Sequence, residues 1–455
     1  MGFDDAVENR TFGEIAIGES ASAVHSLTLR DMEMLAAVSG DVDLAGRDVA
    51  SGTWAALLTG AVLRTVLPGL GTVLTAQEMT YAAPVRLGGE ITITVTARAK
   101  DAASHTVTFD CDCTAADGTL LAQGTARVLA PLEKLRRARA DLPDIVVGER
   151  GAKFRALIGK AEAFDPIVTA IVHPVEANAI AGAVDAAKAG LIVPHFIGPQ
   201  AKIEAAAAEA GLDLSPYDLS STEHSHAAAE LAARLAHEGK VHALLKGSLH
   251  SDEFLHPILA AENALRTEHR LSHVFLMDVP SYDRLLFITD GAINIAPDLA
   301  AKVDIVQNAI GMAHALGVET PRVALLSAVE TVNPSISSTL DAAALSKMAE
   351  RGQITGGIVD GPLAFDNAVS PAAARIKHIR SPVAGQADIL VAPDLDAGNM
   401  IAKQLEYLAA SEAAGVVLGA RVPVILTSRA DTAQSRLVSC AVAVLLHAAR
   451  AGARA

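Results

Sequence analysis

The sequence has few cysteines, and their positions exclude two common kinds of site. Three occur in 455 residues, at Cys111, Cys113 and Cys440, and no two of them form a Cys-x-x-Cys pair. Disulfide frameworks and structural zinc sites use cysteines in sets at short, regular spacings. We therefore expect neither a disulfide framework nor a structural zinc site, which is typical of a protein from a reducing compartment.

Positive charge and long apolar runs are also scarce. The chain has 37 Lys and Arg against 52 Asp and Glu, a formal charge of −15 that would repel a nucleic-acid backbone. The sequence contains no apolar run near the roughly 18 residues that predict a membrane-spanning helix, and its first residues lack the order of a signal peptide. We expect a cytoplasmic protein that binds neither nucleic acid nor membrane. Small anionic ligands are not excluded, because they respond to the local field.

Several catalytic motifs are missing. The chain has no GxxxxGK[ST] loop and no GxSxG elbow. His237 and His242 are one residue too far apart for an HExxH zinc helix, and the pair His269 and His273 lacks the glutamate. We interpret these histidines as surface or satisfied polar residues, and we expect no metal and no tightly bound cofactor.

Residues 1–130 have the pattern of a small α+β unit. Helical stretches at 31–38 and 53–66 precede alternating, strand-like stretches at 91–97, 105–111 and 120–129. This order predicts an antiparallel sheet wrapped on one central helix.

Four short motifs in this part resemble the MaoC-like hot-dog family, which includes enoyl-CoA hydratases. They are Ser39-Gly-Asp41, Gly52-Thr-Trp54, Leu67-Pro-Gly-Leu-Gly71 and Pro84-Val-x-x-Gly-Gly-Glu90. The resemblance places Asp41 at the catalytic carboxylate, but Gly46 stands where the family has its histidine. General acid–base catalysis that activates a water molecule needs two paired groups within hydrogen-bond reach. We therefore interpret Asp41 as a turn residue and the domain as a hydratase remnant.

A change of composition separates this part from the rest. Residues 131–152 are predicted to form a linker with a short basic helix, since Lys134, Arg136, Arg137 and Arg139 crowd together before Pro143. Beyond it, short apolar stretches alternate with helical ones, which predicts α/β architecture with one or two largely parallel sheets.

A polar turn near the end of the chain combines the groups that an anion needs. An apolar stretch of strand length ends at Leu426, and Thr427-Ser-Arg-Ala-Asp431 leads into an apolar helix. A helix N-terminus attracts anions, and Arg429 offers a planar fork to phosphate oxygens. The alternative is that Ser428 or Asp431 only caps the helix, with Asp431-x-x-Gln434 as a capping box.

Five further polar loops, four of them with Gly or Asp, follow predicted strands, where ligands bind in open α/β sheets. Together these loops predict one extended cleft. They are Lys246-Gly-Ser-Leu-His250, Thr289-Asp-Gly-Ala-Ile-Asn294, Ser327-Ala-Val-Glu330, Asp360-Gly-Pro-Leu-Ala-Phe-Asp366 and Ala392-Pro-Asp-Leu-Asp-Ala-Gly-Asn399.

In this order, the loops and the Ser428-Arg429 turn resemble the phosphate acetyltransferase/phosphate butyryltransferase family over residues 150–455. The resemblance implies two αβα lobes, similar to isocitrate dehydrogenases, with the site between them. Lobe 1 would span 153–282, completed by 420–455, and lobe 2 would span 283–419. It also implies a homodimer or higher oligomer, with acyl-CoA and phosphate as substrates and coenzyme A as the carrier.

The resemblance assigns roles to individual residues. Arg429 would hold the phosphoryl group and Ser428 would stabilise the tetrahedral intermediate, while Asp431 as the base competes with the cap interpretation. Classical members of the family have their base where this chain has Ser435. The family also has a second arginine, which is replaced here by His256-Pro257, and Arg266 is our candidate to substitute for it. The candidate substrate-binding residues are Lys246, Gly247, Ser248, Arg266, Asp290, Gly291, Asn294, Ser327, Asp360, Gly361, Asp394, Gly398 and Asn399.

Three functions remain open at this point. The first is a phosphate acyltransferase for acetyl or a longer group such as butyryl. The second is a bifunctional enoyl-CoA hydratase/phosphate acetyltransferase, an arrangement that this fusion of domains also resembles. The third is a non-enzymatic sensor of acyl-CoA or acyl phosphate.

Overall fold

The computed structural model describes residues 6–41, 49–50, 52–138, 150–426 and 432–452. The chain divides into two compact units, Met1–Val147 and Gly148–Ala455. Among the described residues, no helix combines the length and the apolar character that a membrane crossing needs.

The first unit is an antiparallel sheet packed on a central helix. Its strands are β1 (Ala6–Glu8), β2 (Ser20–Ser26), β3 (Val49–Ala50), β4 (Val73–Tyr81), β5 (Val85–Arg86), β6 (Glu90–Asp101), β7 (Thr106–Ala115), β8 (Leu120–Leu129) and β9 (Arg136–Ala138). Its helices are α1 (Leu29–Ser39) and α2 (Thr53–Thr65). The main sheet has the order β2-β6-β7-β8-β4.

Alternation along the long strands places one apolar face of this sheet against α2. In β6, Ile91, Ile93 and Val95 are buried, and they share a core with Trp54 and Leu63 of the helix. Alternate side chains of a strand point to opposite faces, so one face covers the helix while the other meets solvent. This is the predicted hot-dog arrangement of one helix wrapped by a sheet.

The short basic helix predicted in the linker is wrong. Arg136–Ala138 forms strand β9 instead, which pairs antiparallel with β1. Arg136 lies 3.4 Å from the Glu8 carboxylate, so the cluster of basic residues is in part neutralised across the strand pair. Charge alone did not distinguish an exposed helix from an exposed strand.

The second unit alternates strands and helices. Its strands are β10 (Ile167–Val172), β11 (Ile192–Gly198), β12 (Asp218–Ser221), β13 (Ala243–Lys246), β14 (Ser272–Asp278), β15 (Leu286–Thr289), β16 (Arg322–Leu326), β17 (Ile358–Leu363), β18 (Ile389–Val391), β19 (Glu412–Leu418) and β20 (Val424–Ile425). Its helices are α3 (Ala152–Ala161), α4 (Ala177–Lys188), α5 (Gln200–Glu209), α6 (Ser225–His237), α7 (Ser251–Leu259), α8 (Leu299–Ala315), α9 (Ser337–Glu350), α10 (Phe365–Val369), α11 (Pro371–Ile376), α12 (Leu395–Leu408) and α13 (Ala433–Gly452), with a 3-10 turn at Ala261–Asn263.

These strands form one sheet of 11 strands in the order β12-β11-β10-β13-β20-β19-β14-β15-β18-β16-β17. The first five strands run parallel to one another, and so do the last four. Antiparallel pairs at β20-β19, β19-β14 and β14-β15 reverse the direction between the two blocks. The sheet is therefore largely parallel, as predicted, but the carboxyl ends of its two blocks point opposite ways.

The position of β20 matters most for the site. It comes from late in the chain, yet it lies between β13 and β19, at the seam of the two blocks. Leu245 pairs with Ile425 in parallel, and Val416 pairs with Ile425 from the other side. The residues that follow β20 therefore leave the sheet near its centre. The division of this unit into lobes at 282/283 and 419/420 stays a prediction.

Candidate active site

The predicted catalytic turn, Ser428, Arg429 and Asp431, lies outside the described residues, but both elements that flank it are described. Before it, Val424 and Ile425 of β20 are fully buried. After it, α13 runs for 20 residues from Ala433, with its middle turns buried. The expected buried strand before these residues and the expected apolar helix after them are confirmed.

Thr432 caps the beginning of α13. Thr432 stands before the first helical residue, and its hydroxyl accepts the Ser435 N–H at 3.1 Å. The two hydroxyls of Thr432 and Ser435 lie 3.0 Å apart. The predicted capping box begins at Asp431, which lies outside the described residues, so it stays a prediction.

Lys246, Gly247 and Ser248 leave the sheet beside β20. The Gly247 N–H donates to the Val172 carbonyl at 2.9 Å, and a Cβ on this residue would collide with the same carbonyl, so only glycine fits this close approach. The Lys246 ammonium donates to the Leu249 carbonyl at 3.1 Å. The Ser248 Oγ is buried and has no hydrogen-bond partner in the part of the chain that the structure describes. This loop thus presents polar groups at the strand end nearest to the turn.

A second group forms around Asp290, which is only 2 % exposed. Its carboxylate accepts the Ala292 and Ile293 N–H groups at 2.9 and 3.0 Å, and the Asn294 side-chain amide at 2.6 Å. The Asn294 amide also donates to the Leu271 carbonyl at 2.9 Å, which ties the loop to the residue before β14. Asp290 therefore organises its own loop, because its oxygens are occupied by N–H groups of the next residues.

The same loop is in backbone contact with the beginning of α12. The Asn399 side chain donates to the Gly291 carbonyl at 3.1 Å, and a Cβ on Gly398 would collide with the Asp290 carbonyl. Asp394 caps α12 by accepting the Ala397 N–H at 2.9 Å. Six of the predicted site residues are thus brought together: Asp290, Gly291, Asn294, Asp394, Gly398 and Asn399.

Ser327, Asp360 and Gly361 form a separate group at β16 and β17. The Ser327 N–H donates to the Leu363 carbonyl, and the Gly361 N–H donates to the Asp360 carboxylate, both at 2.9 Å. In the sheet order β16 is five strands from β20. At about 4.8 Å per strand this is roughly 24 Å, so a reacting group at β20 is out of their reach. The single cleft predicted from strand ends does not account for this group.

Arg266 is exposed and forms an isolated antiparallel bridge with Ala420. Ala420 precedes β20, whereas the catalytic turn follows it. The suggestion that Arg266 replaces the second family arginine stays a prediction.

Arg436 is a guanidinium that the sequence analysis missed. It lies in the first turn of α13, packs over Gly182 and donates to the Asn178 carbonyl of α4. Its Nε is buried without a hydrogen-bond partner among the described residues. The signal was its spacing, eight residues after Ser428 on a helix whose beginning faces the turn.

His273 was not among the predicted site residues. Its side chain is 2 % exposed, and its Nδ1 has no hydrogen-bond partner within the described ranges. Burial lowers the pKa of the imidazole to about 4, although the nearby Asp290 carboxylate opposes that shift. The ring is therefore neutral at neutral pH.

In the first unit, Asp41 follows the end of α1 and its N–H donates to the Ser39 hydroxyl at 3.2 Å. Gly46, which replaces the family histidine, lies outside the described residues. At the beginning of α2 the Tyr81 ring lies against Gly52, where a Cβ would come within 2.6 Å of the ring carbon Cγ. An aromatic ring therefore covers one side of the helix N-terminus.

The described residues contain no group of three or more His, Cys, Asp and Glu side chains arranged to hold a metal ion. Cys111 and Cys113 are buried in the core of the first unit. Burial raises the pKa of the Cys111 thiol to about 12, so it is not a thiolate at neutral pH.

Comparison with known proteins agrees with the layout of the second unit. Residues 219–444 match the family model described as phosphate acetyl/butaryl transferase. A phosphate acetyltransferase of Rhizobium meliloti is 57% identical over 303 residues, which cover 67% of this chain and 96% of that protein. A phosphate butyryltransferase of Clostridium acetobutylicum is 42% identical over 262 residues, 58% of this chain and 87% of that protein.

A solved structure has the same fold. The branched-chain phosphotransacylase of Enterococcus faecalis superimposes with a TM-score of 0.55 at 30% identity, over 62% of this chain and 99% of that chain. Because more than half of the aligned residues are identical to those of a relative that is matched over nearly its whole length, the chain belongs to the family of phosphate acetyltransferases and phosphate butyryltransferases.

Proposed function

We propose that the second unit interconverts acyl-CoA plus phosphate with acyl phosphate plus coenzyme A, by direct transfer in a ternary complex at residues 427–431. The observation that supports the proposal is the pair of elements on either side of these residues: a buried central strand ends before them, and a 20-residue helix begins after them. The free N–H groups and the dipole of such a helix end favour an anion.

In this mechanism three side chains of the turn act on the reacting groups. In the direction of thioester formation, the Asp431 carboxylate takes the proton of the coenzyme A thiol, and the thiolate attacks the carbonyl carbon of the acyl phosphate. The tetrahedral intermediate collapses as its carbon–oxygen bond to phosphate breaks, so that phosphate leaves. Arg429 binds the phosphoryl oxygens and Ser428 donates to the developing oxyanion, a contribution on the order of 3 kcal/mol for one such donor.

The described loops would bind the rest of the substrates. Lys246 is the last residue of β13, the strand next to β20, and Gly247 and Ser248 follow it, so we assign these three residues to the phosphate and the acyl carbonyl. The group of Asp290, Gly291, Asn294, Asp394, Gly398 and Asn399 would hold the pantetheine arm. Ser327, Asp360 and Gly361 are distant enough to contact only the far end of coenzyme A, which is a substrate here and not a resident cofactor. Arg266 remains a candidate for its phosphates.

We assign no hydratase activity to the first unit. Two features support this: Gly46 replaces the family histidine, and the Tyr81 ring lies against Gly52 on one side of the N-terminus of α2, where a thioester carbonyl would need free N–H groups. The alternative is a bifunctional protein in which Asp41 still works. Hydration of crotonyl-CoA by the full chain, abolished in Asp41→Asn, would establish that alternative.

The preferred acyl group is acetyl or another short chain, with butyryl as the alternative. One methylene changes binding in an apolar pocket by only about 1–3 kcal/mol, so a series of acyl-CoAs is needed to rank them. We further propose that the protein is cytoplasmic and forms a homodimer or higher oligomer, which sedimentation of the purified chain tests.

Steady-state kinetics with acetyl-CoA and phosphate test the main proposal. We expect the wild-type chain to release thiol and form acetyl phosphate, and Arg429→Ala to lose about 10²–10³-fold in kcat. Arg421→Ala is the matched control, because Arg421 is exposed and lies before β20. Thiol release that is absent in the wild type, or equal in the two variants, would contradict the proposal.

A further inference from the structure

His226 and Glu253 form a pair of side chains outside the residues that we assign to acyl transfer. His226 is the second residue of α6, and Glu253 lies in the first turn of α7. The His226 Nδ1 lies 2.7 Å from the Glu253 carboxylate, and the two side chains are 72% and 12% exposed. The Ser225 hydroxyl donates to the same carboxylate oxygen. A largely buried carboxylate, fixed by a second donor, therefore orients a solvent-exposed imidazole.

The hydrogen bond to Glu253 decides which ring nitrogen of His226 is reactive. In a neutral imidazole one nitrogen carries the hydrogen and the other a lone pair, and a hydrogen bond to one of them fixes the tautomer. Because Nδ1 donates to the carboxylate, the lone pair is on Nε2. Among the described residues Nε2 has no hydrogen-bond partner. A histidine held by a carboxylate in this way is an oriented nitrogen nucleophile.

The neighbouring His224 favours an anionic group on that nitrogen. His224 precedes α6, and its Nδ1 accepts the Ala227 N–H at 3.1 Å, so its neutral ring carries its own hydrogen on Nε2. The two imidazoles lie edge-on with centroids 6.1 Å apart. The first N–H groups of a helix and its dipole also stabilise negative charge. A phosphoryl group on His226 would therefore be stabilised here, whereas a neutral acyl group would gain nothing.

The pair lies at the same end of the sheet as the loop 246–250, part of which we assign to phosphate. Helix α7, which carries Glu253, begins directly after this loop. Burial lowers the pKa of the His173 imidazole and the Glu253 carboxylate opposes that shift, so the two groups are within electrostatic reach. The His173 carbonyl accepts the Ser248 N–H at 2.9 Å. An acyl phosphate formed at the loop is thus produced at the end of the sheet where His226 lies.

We propose that acyl phosphate phosphorylates His226 at Nε2, which makes this histidine a modification site of the chain. The Nε2 lone pair attacks phosphorus, and the N–P bond forms as the bond between phosphorus and the acyl oxygen breaks. The carboxylate of the acyl group leaves with the electron pair. The hydrogen on Nδ1 stays in place, and Glu253 balances the positive charge that the ring acquires. The inference rests on the proposed function, because that reaction supplies the acyl phosphate.

Incubation of the full chain with acetyl phosphate, carrying radioactive phosphorus in its phosphoryl group, tests the proposal. We expect the wild type to take up label that is lost in acid and kept in alkali, as for a phosphoramidate. Mass spectrometry of the modified chain should place the phosphoryl group on His226. We expect His226→Gln to lose the label, and Glu253→Gln to take it up on the order of 10-fold more slowly, because its ring is oriented less well.

His237 provides the matched control. It is the last residue of the same helix and is exposed, so His237→Gln should take up label as the wild type does. His226→Gln should release thiol from acetyl-CoA and phosphate at the wild-type rate, which shows that the variant is folded. If it is not folded, the position that mass spectrometry finds in the wild type carries the test.

A wild-type chain without label, a phosphoryl group on another residue, or label that a folded His226→Gln retains would each overturn the inference. Uptake of the acetyl group in place of the phosphoryl group would also overturn it. Acetyl phosphate is supplied directly in this experiment. A chain that is labelled on His226 but releases no thiol from acetyl-CoA and phosphate would therefore overturn the proposed function and leave the modification site standing.

Discussion

Asp290 shows how one buried carboxylate fixes a binding loop. Its two oxygens accept N–H groups from Ala292, Ile293 and Asn294, and the loop then contacts the beginning of α12. The charge is held by these donors without a cation at hydrogen-bond distance among the described residues. Such a carboxylate contributes to the conformation of the loop more than to the reaction.

We expect Asp290→Asn to destabilise the second unit by about 1–3 kcal/mol, because the amide NH₂ would face N–H donors. The KM for acyl-CoA should rise as the loop loosens. Urea unfolding and steady-state kinetics measure the two effects. Asp298→Asn is the control, since Asp298 caps α8 and asparagine caps equally well. An unchanged unfolding midpoint for Asp290→Asn would contradict this account.

The neutral state of His273 has a consequence for stability against acid. The pKa of its imidazole is about 4 in the folded chain against an ordinary 6.5, so the unfolded chain binds the proton first. The contribution of the neutral imidazole to the free energy of unfolding is therefore fully present above about pH 6.5 and is lost as the pH drops toward 4. We expect His273→Phe to flatten this fall, measured by urea unfolding at several pH values. The exposed His237→Phe should retain the wild-type slope, and equal slopes in the two variants would be evidence against the assignment.

At the scale of single elements, the beginning of α13 links stability to anion binding. The Thr432 hydroxyl accepts the Ser435 N–H, which fixes where the helix begins and where its free N–H groups point. We expect Thr432→Ala to cost about 1 kcal/mol and to raise the KM for phosphate, while Thr432→Ser stays close to wild type. Differential scanning calorimetry and phosphate titrations check both. If Thr432→Ala is destabilised but has the wild-type KM for phosphate, the helix cap does not contribute to anion binding.

Much of this element structure followed from the sequence, for physical reasons that differ between elements. Strand β8 (Leu120–Leu129) and the helix after Leu426 were predictable, because apolar periodicity and turn residues agreed there. Strands β2 and β4 were not predicted, since as the two edges of their sheet they carry many exposed side chains. The cap that Thr432 gives to α13 was not predicted, because Asp431 and Thr432 are both good N-cap residues.

The candidate site was predictable to the extent that it depends on local motifs. Asp290, Gly398 and Asn399 meet as expected, because glycines allow the backbones to touch. The direction of each block of strands depends on how β19 and β14 pair, and no local pattern encodes that pairing. The contact between His273 and Gly415 could not be predicted for the same reason, because the two residues are close only in the folded chain.

At the scale of the whole molecule, only one of the two units contains residues that we assign to acyl transfer. All residues assigned to that reaction lie in Gly148–Ala455, a compact unit of its own. The Rhizobium meliloti phosphate acetyltransferase matches a stretch of about that length with 96% of its own chain. Acyl transfer should therefore not depend on the first unit.

We expect a shortened chain of residues 148–455 to keep kcat and the KM for phosphate within about threefold of the full chain, because its catalytic groups and their supports are intact. The same assay on both proteins measures this, with Arg429→Ala in the shortened chain as the negative control. A shortened chain that folds by circular dichroism but has lost transfer would show that the first unit takes part.

The late strand β20 also sets the order in which the second unit can assemble. Until it arrives, β13 and β19 lack the partner that joins them, and the earlier block has an unsatisfied edge. Contacts between residues far apart in the chain form slowly, and bare strand edges invite aggregation meanwhile. Refolding from denaturant should accordingly be slow and sensitive to protein concentration. A chaperone that binds the exposed edges of β13 and β19 until β20 pairs with them would raise the yield of refolded protein.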